Sequence, residues 1–194
     1  GLASSTDGIH FTKKFTGPII STTATEPYFN GSACFLFDDG KYKAWYLNCT
    51  HWLEDQGLME PCYHIKYAES TDGISWERKG QVAIDYRDEV EGGISRPSVI
   101  IENGIYKMWF SARAITDYRT NRDRSYRIYY AESKDGIHWT RFDEQVGIDV
   151  SENPSDWDHT MIEYPLVIDH KGKKIMFYNG NHFGQTGVGY AEMD

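Results

Sequence analysis

The sequence predicts an all-β protein built from repeated four-stranded antiparallel units. Three observations carry this. Fourteen Tyr, nine Phe and six Trp stand among eighteen Gly in 194 residues, a composition of short strands and tight turns. No window repeats apolar residues at helical spacing over three turns. An Asp-Gly-Ile-x-aromatic motif recurs at Asp7–Phe11, Asp72–Trp76 and Asp135–Trp139, spaced 65 and 63 residues apart. A fixed period of this size marks units that cannot bury both faces alone and so stack on one another, as in a β-propeller.

The repeats run over approximately residues 1–65, 66–129 and 130–194 of a single domain. Strand 1 of each unit is expected at Ala33–Phe37, Pro97–Ile101 and Pro165–Ile168. Asp39-Gly40, Asn103-Gly104 and Lys171-Gly172 then supply the positive φ angles of a tight hairpin. Strand 2 comes next at Tyr42–Leu47, Tyr106–Ser111 and Lys174–Asn179, then a long polar loop. Strand 3 is expected at His64–Glu69, Arg127–Glu132 and Gly187–Glu192. The Ser-x-Asp-Gly turn leads to strand 4 at Ser75–Arg78 and His138–Arg141. The chain holds three periods but starts and stops inside a unit. A ring takes about four to eight, so these units are expected to be a fragment of a larger propeller, a divergent partial propeller, or part of an oligomer that completes the ring. Open strand rows need covering. His10–Lys13 is expected to pair beside Gly187–Glu192, or a second chain to cover the edges.

Within such a unit the tight turns fall at one end of the strands. The long segments, Asn48–Tyr63, Val82–Arg96, Ala112–Tyr126 and Gly147–Tyr164 among them, fall at the other. Long loops gathered at one end of a rigid scaffold carry function. Asp156-Trp157-Asp158-His159 and Glu163 enter strand 1 of the last repeat. Glu163 is the candidate general acid, with Asp158 beside it as a second catalytic carboxylate. Trp157, His159, Asn181 and His182 suit sugar stacking and hydroxyl hydrogen bonds. Glu91 and Arg96 stand at the matching entry of the middle repeat, where Arg96 can hold a carboxylate or a substrate oxygen. Arg113 opens a loop of five arginines able to bind an anionic group. For each there is a structural alternative: turn caps for the aspartates, ion pairs for Glu91, Arg96 and Glu163, and a self-neutralised loop for the arginines.

A net charge of −9 and a pI near 5.2 argue against nucleic acid and anionic membrane surfaces as partners. The apolar runs are too short for a transmembrane helix, and Gly1–Ser5 has neither the basic nor the apolar region of a signal peptide. The histidines lack metal-ligand spacing, and there is no P-loop, dinucleotide fingerprint or serine nucleophile elbow. No metal and no cofactor are expected. Cys34, Cys49 and Cys62 form no closed disulfide set. Cys49 and Cys62 flank one loop and can pair in an oxidising compartment, but an odd count fits reduced thiols better.

The run Arg96-Pro97-Ser98-Val99-Ile100, then Asn103-Gly104-Ile105-Tyr106-Lys107-Met108-Trp109-Phe110-Ser111, then Tyr130–Trp139, resembles the five-bladed propellers of the arabinanase, β-xylosidase and invertase-like glycoside hydrolases. It is also similar to mannoside phosphorylases on that scaffold. The resemblance covers nearly the whole chain. It implies a carbohydrate ligand and gives Glu163 the role of the acid that those enzymes carry at a blade mouth. Their acid-modulating Asp-Pro reads Arg96-Pro97 here, and their base or nucleophile lies on a first blade matched by no segment of this chain. Two function classes remain: a glycosidase or phosphorylase relative, and a non-catalytic module that binds glycan or protein with the same face.

Overall fold

The computed structural model describes residues 1–193, so Asp194 lies outside the described residues. It is almost entirely β. A small hairpin, β1 (Ala3–Ser4) with β2 (Thr12–Lys13), precedes three successive sheets. The first is β3 (Asn30–Asp38), β4 (Lys41–Asp55) and β5 (Leu58–Ser70), with β6 (Val82–Ile84) against β5. The second is β7 (Glu91–Glu102), β8 (Ile105–Ala114), β9 (Arg127–Ser133) and β10 (Thr140–Arg141). The third is β11 (Glu163–His170), β12 (Lys173–Asn179) and β13 (Val188–Met193). One parallel pair, Tyr63 with Gly93, ties the first sheet to the second.

Local chemistry explains the hairpins. Asp39-Gly40, Asn103-Gly104 and Lys171-Gly172 have positive φ at both positions, the twist that matches two flanking strands. Gln56-Gly57 does the same, with φ of +51° and +81°. The expected polar loop at Asn48–Tyr63 is therefore not a loop. β4 and β5 run on as a long two-stranded arm, paired from Tyr42–Ser70 to Asp55–Leu58. Its polar side chains are those of an arm that is largely solvated on one side.

The Ser-x-Asp-Gly turns are built alike. In each, the serine Oγ donates to the aspartate Oδ1 at 2.8–2.9 Å and accepts the glycine N–H at 2.9 Å. The aspartate Oδ1 accepts two further backbone N–H groups, from Ile9 and His10, Ile74 and Ser75, or Ile137 and His138. The segments beyond these turns differ. Thr140–Arg141 pairs with β9 as expected, whereas the Ser75–Arg78 segment makes only the Glu69–Glu77 bridge. The third sheet has three strands among the described residues. Thr12–Lys13 pairs with Ala3–Ser4 and not with Gly187–Glu192, because its own preceding residues complete the local hairpin first.

The core lies between the sheets. Cys34, Leu36, Trp45 and Tyr67 of the first meet Val99, Met108, Phe110 and Ala131 of the second. One repeat later, Ile100, Trp109 and Tyr130 meet Val167, Met176, Tyr178 and Ala191. Burying each large apolar side chain is worth roughly 1.5–3 kcal/mol, so sheet stacking, not any single sheet, holds the units. All three cysteines are free thiols.

Candidate functional site

The first strands of the three sheets begin at the same end and share one irregularity. The register slips between Gly31 and Cys34, between Ser95 and Ser98, and between Glu163 and Leu166. At each slip one non-glycine residue takes a positive φ: Ser32 (+42°), Arg96 (+52°) and Tyr164 (+58°). Such bulges re-aim side chains at sheet ends. They also fix the equivalences: Gly31, Ser95 and Glu163 share one step, and Ser32, Arg96 and Tyr164 the next. Arg96 is thus the counterpart of Tyr164 and not of Glu163, and it is exposed.

Glu163 is 0% exposed, and neither carboxylate oxygen has a hydrogen-bond partner among the described residues. Burial, opposed only in part by the neighbouring Tyr164 hydroxyl, pushes its carboxyl up to about 8. It is therefore protonated at neutral pH, as a general acid must be. Ser95, at the equivalent step of β7, is also buried with an unpartnered hydroxyl. The backbone N–H of Tyr164 donates to Ser111 Oγ at 2.7 Å, tying β11 to β8.

Around this step lies an aromatic and ionic cluster. The Tyr126 ring stands 6.1 Å from each of the Tyr164, Tyr118 and Phe183 rings, and its hydroxyl is hydrogen-bonded to that of Tyr63. Arg113 is 3% exposed. Its guanidinium lies 3.8 Å from the Tyr118 ring centroid and donates to the Pro61 and Ala114 carbonyls at 2.7 and 2.8 Å. Glu60 accepts the Tyr118 hydroxyl at 2.5 Å and two Arg119 nitrogens at 3.1 and 3.0 Å. Burial alone would raise the Glu60 carboxyl, but these hydrogen bonds outweigh it and hold the group below its ordinary value. Sequence reading misses Glu60, Tyr63 and Tyr118. The Gln56-Gly57 turn is the signal that Glu60 and Tyr63 belong to a strand.

The other expected residues have structural partners. Trp157 packs at 5.3 Å against Tyr178, in space left by Gly180 and Gly189. Asp158 is buried and accepts the Tyr178 hydroxyl at 3.1 Å. His159 Nδ1 is 2.7 Å from the Ser151 carbonyl. Asn181 uses both ends of its amide, accepting from the Thr160 and Met161 N–H groups and donating to the Asp156 carbonyl. His182 is exposed in a left-handed turn (φ +54°). Glu91 forms a two-toothed pair with Arg141 at 2.7 and 3.0 Å. Arg122, Arg124 and Arg127 hold loop carbonyls. The structure thus brings Glu163 and Arg113 into one region, with Arg96 at the same strand end, while Glu91 and Asn181 anchor the segments that lead there. Among the described residues, no group of three His, Cys, Asp or Glu side chains is arranged to hold a metal.

No protein-family model matches the chain. Two uncharacterised proteins, from two strains of Mycobacterium tuberculosis, are 37% identical to it over 194 residues, all of this chain and 60% of theirs. The chain thus spans about three fifths of the length of these relatives. Among solved structures it is similar to a family 117 glycoside hydrolase from Zobellia galactanivorans (TM-score 0.64, 18% identity, 84% of this chain and 51% of that one). It is also similar to a family 32 β-fructofuranosidase from Bombyx mori (0.61, 16%, 89% and 35%). A third likeness is to a member of the family 130 mannoside phosphorylases, a family containing glycoside hydrolases that target β-1,2 mannosidic linkages in Candida mannan (0.64, 16%, 93% and 57%). At these identities the likeness is one of fold: a propeller-type, glycosidase-like arrangement of sheets.

Proposed function

We propose that this chain is the acid-bearing part of a carbohydrate-active propeller, acting on or binding a glycan at the strand end where Glu163 stands. The observation that carries this reading is Glu163 itself, a buried, unpaired carboxyl pushed up to about 8. A stability role alone would pair that carboxylate or replace it by an apolar group. Glu163 is the proton donor, the half-buried Tyr164 ring offers a face to a sugar with the buried Tyr126 ring packed behind it, and Arg113 and Asp158 position the walls. Arg96, the exposed cation at the same end, meets a substrate oxygen, and His159 and His182 border the site. The fold likeness to glycosidases and a mannoside phosphorylase relative supports the ligand class. At 60% coverage the curated relatives run to about 320 residues, or five periods of about 64. In this reading the further units supply the second carboxylate that glycosidic cleavage needs about 5–10 Å from the acid.

The competing reading is a non-catalytic glycan-binding module, favoured by one observation: Glu163 has no exposed surface from which to reach a glycosidic oxygen. Release of reducing sugar from a polysaccharide panel by a protein that carries the further units, with calorimetric binding beside it, separates the two. Turnover that falls above pH 8 and drops about 10²-fold in Glu163→Gln, with binding retained, is the expected result. Binding without turnover in both proteins selects the module. The absence of both binding and turnover on every glycan of the panel refutes the proposal.

A further inference from the structure

We propose that Phe183 and Arg119 form a subsite for an acidic sugar residue, a uronate, within the glycan handled at the Glu163 end. This rests on the carbohydrate reading above and adds to it the class of sugar.

Phe183 is held where its backbone is strained. His182 and Phe183 both take positive φ, +54° and +60°. Residues other than glycine visit this region singly, and for a bulky side chain it is an outlier. The turn is fixed by its surroundings. The Asn181 N–H donates to the Trp157 carbonyl at 2.9 Å, the Gly184 N–H to the Gly180 carbonyl at 3.1 Å, and the Gln185 N–H to the His182 carbonyl at 3.2 Å. Asparagine or glycine would fit position 183 with less strain. Burial does not explain the ring, which is 40% exposed. It stands edge-on to the buried Tyr126 ring, which also packs against the Tyr164 ring next to Glu163. An exposed ring one neighbour removed from the acid, kept despite strain, suits the apolar face of a sugar.

The charge comes from the arginine-rich loop. Arg113, Arg122, Arg124 and Arg127 each donate to backbone carbonyls. Arg119 differs: its Nε and Nη2 donate to the two oxygens of Glu60 at 3.1 and 3.0 Å, and its Nη1 has no partner among the described residues. Its side chain is 47% exposed. The guanidinium lies 4.6 Å from the Tyr118 ring centroid and 5.6 Å from that of Phe183. Glu60 therefore locks one edge of the planar fork and leaves the Nη1–Nη2 edge open to a second carboxylate. Glu60 also feels the Arg113 guanidinium, which pairs with no carboxylate among the described residues, so two cations share one anion here. Asp117, the nearest acid in the loop, accepts from Gln56 at 2.8 Å and lies 3.8 Å from Arg124. A neutral sugar would use the Phe183 ring alone. A uronate uses the ring and the open guanidinium edge together.

The test uses a protein that carries the further units, with a panel of uronate-containing polysaccharides and the same polysaccharides after reduction of their carboxyls to hydroxymethyl groups. By calorimetry, at least one acidic form should bind about tenfold more tightly than its reduced counterpart. Arg119→Gln should abolish that difference and leave the affinity for the reduced form unchanged; a merely structural Arg119 would weaken both alike, which overturns the proposal. Phe183→Asn accepts the positive φ. It should melt close to the wild type and bind both forms about fivefold more weakly, and unchanged binding overturns the proposal. Equal binding of every acidic and reduced pair by the wild type, with turnover that still depends on Glu163, overturns the uronate subsite and leaves the carbohydrate reading standing. Binding of neither form, without turnover, overturns both.

Discussion

Replacing Glu163 by Gln should change how stability depends on pH, and the size follows from the site. The carboxyl is buried without a partner and titrates near 8 in the fold, against an ordinary 4.5. A group whose folded pKa is raised holds its proton more tightly in the folded state. Its favourable contribution is present in full below about 4.5 and is lost as pH rises through about 8. At 1.36 kcal/mol per decade of pH, the loss between those limits is at most about 5 kcal/mol, a large part of the stability of a domain this size. Gln keeps the shape and does not titrate, so every other group cancels in the comparison. Urea unfolding of both proteins at pH 5, 6, 7, 8 and 9 measures the difference. The wild type should weaken relative to Glu163→Gln by several kcal/mol, most of it by pH 8. Parallel curves would mean that the carboxyl titrates normally, and the acid assignment would fall with it.

Three further outcomes can be checked by the same unfolding assay. Asn181→Ala strips the acceptor from the Thr160 and Met161 N–H groups and should cost about 2–4 kcal/mol; the adjoining amides should lose exchange protection. Glu91→Gln leaves the Arg141 guanidinium half-paired in a buried place and should cost about 3 kcal/mol, with little change if the pair is solvated. Gly189→Ala puts a Cβ 2.4 Å from the Trp157 ring. It should destabilise by about 2 kcal/mol or more and shift the Trp157 emission; a neutral effect would show that the ring is free to move.

Where the sequence carries the fold, the determinant is local. Each X-Gly hairpin and each Ser-x-Asp-Gly turn is closed by atoms within a few residues, so Asp39-Gly40 or Ser133–Gly136 can be recognised without any partner. The alternation around Trp45, Trp109 and Phe177 is legible for the same reason: strand pleat assigns faces by parity. The arm at Asn48–Tyr63 reads as a loop because its polar residues imitate one, although Gln56-Gly57 has the chemistry of the other hairpins.

The candidate site divides along the same line. That Glu163 stands at the start of the first strand of its sheet is readable from the repeat. That Arg96 is the counterpart of Tyr164 is not, because the bulge adds a residue whose place only the ladder register reveals. Nor can the sequence separate Glu163 from Glu91 or Asp158, all carboxylates in long segments. Arg141, 50 residues from Glu91, and Tyr178, 20 residues from Asp158, take up those two, while no partner reaches Glu163 among the described residues. Composition and spacing set which groups exist and which turns close. Burial and pairing, which set a carboxyl's protonation, depend on neighbours distant in the chain and so are decided by tertiary packing alone.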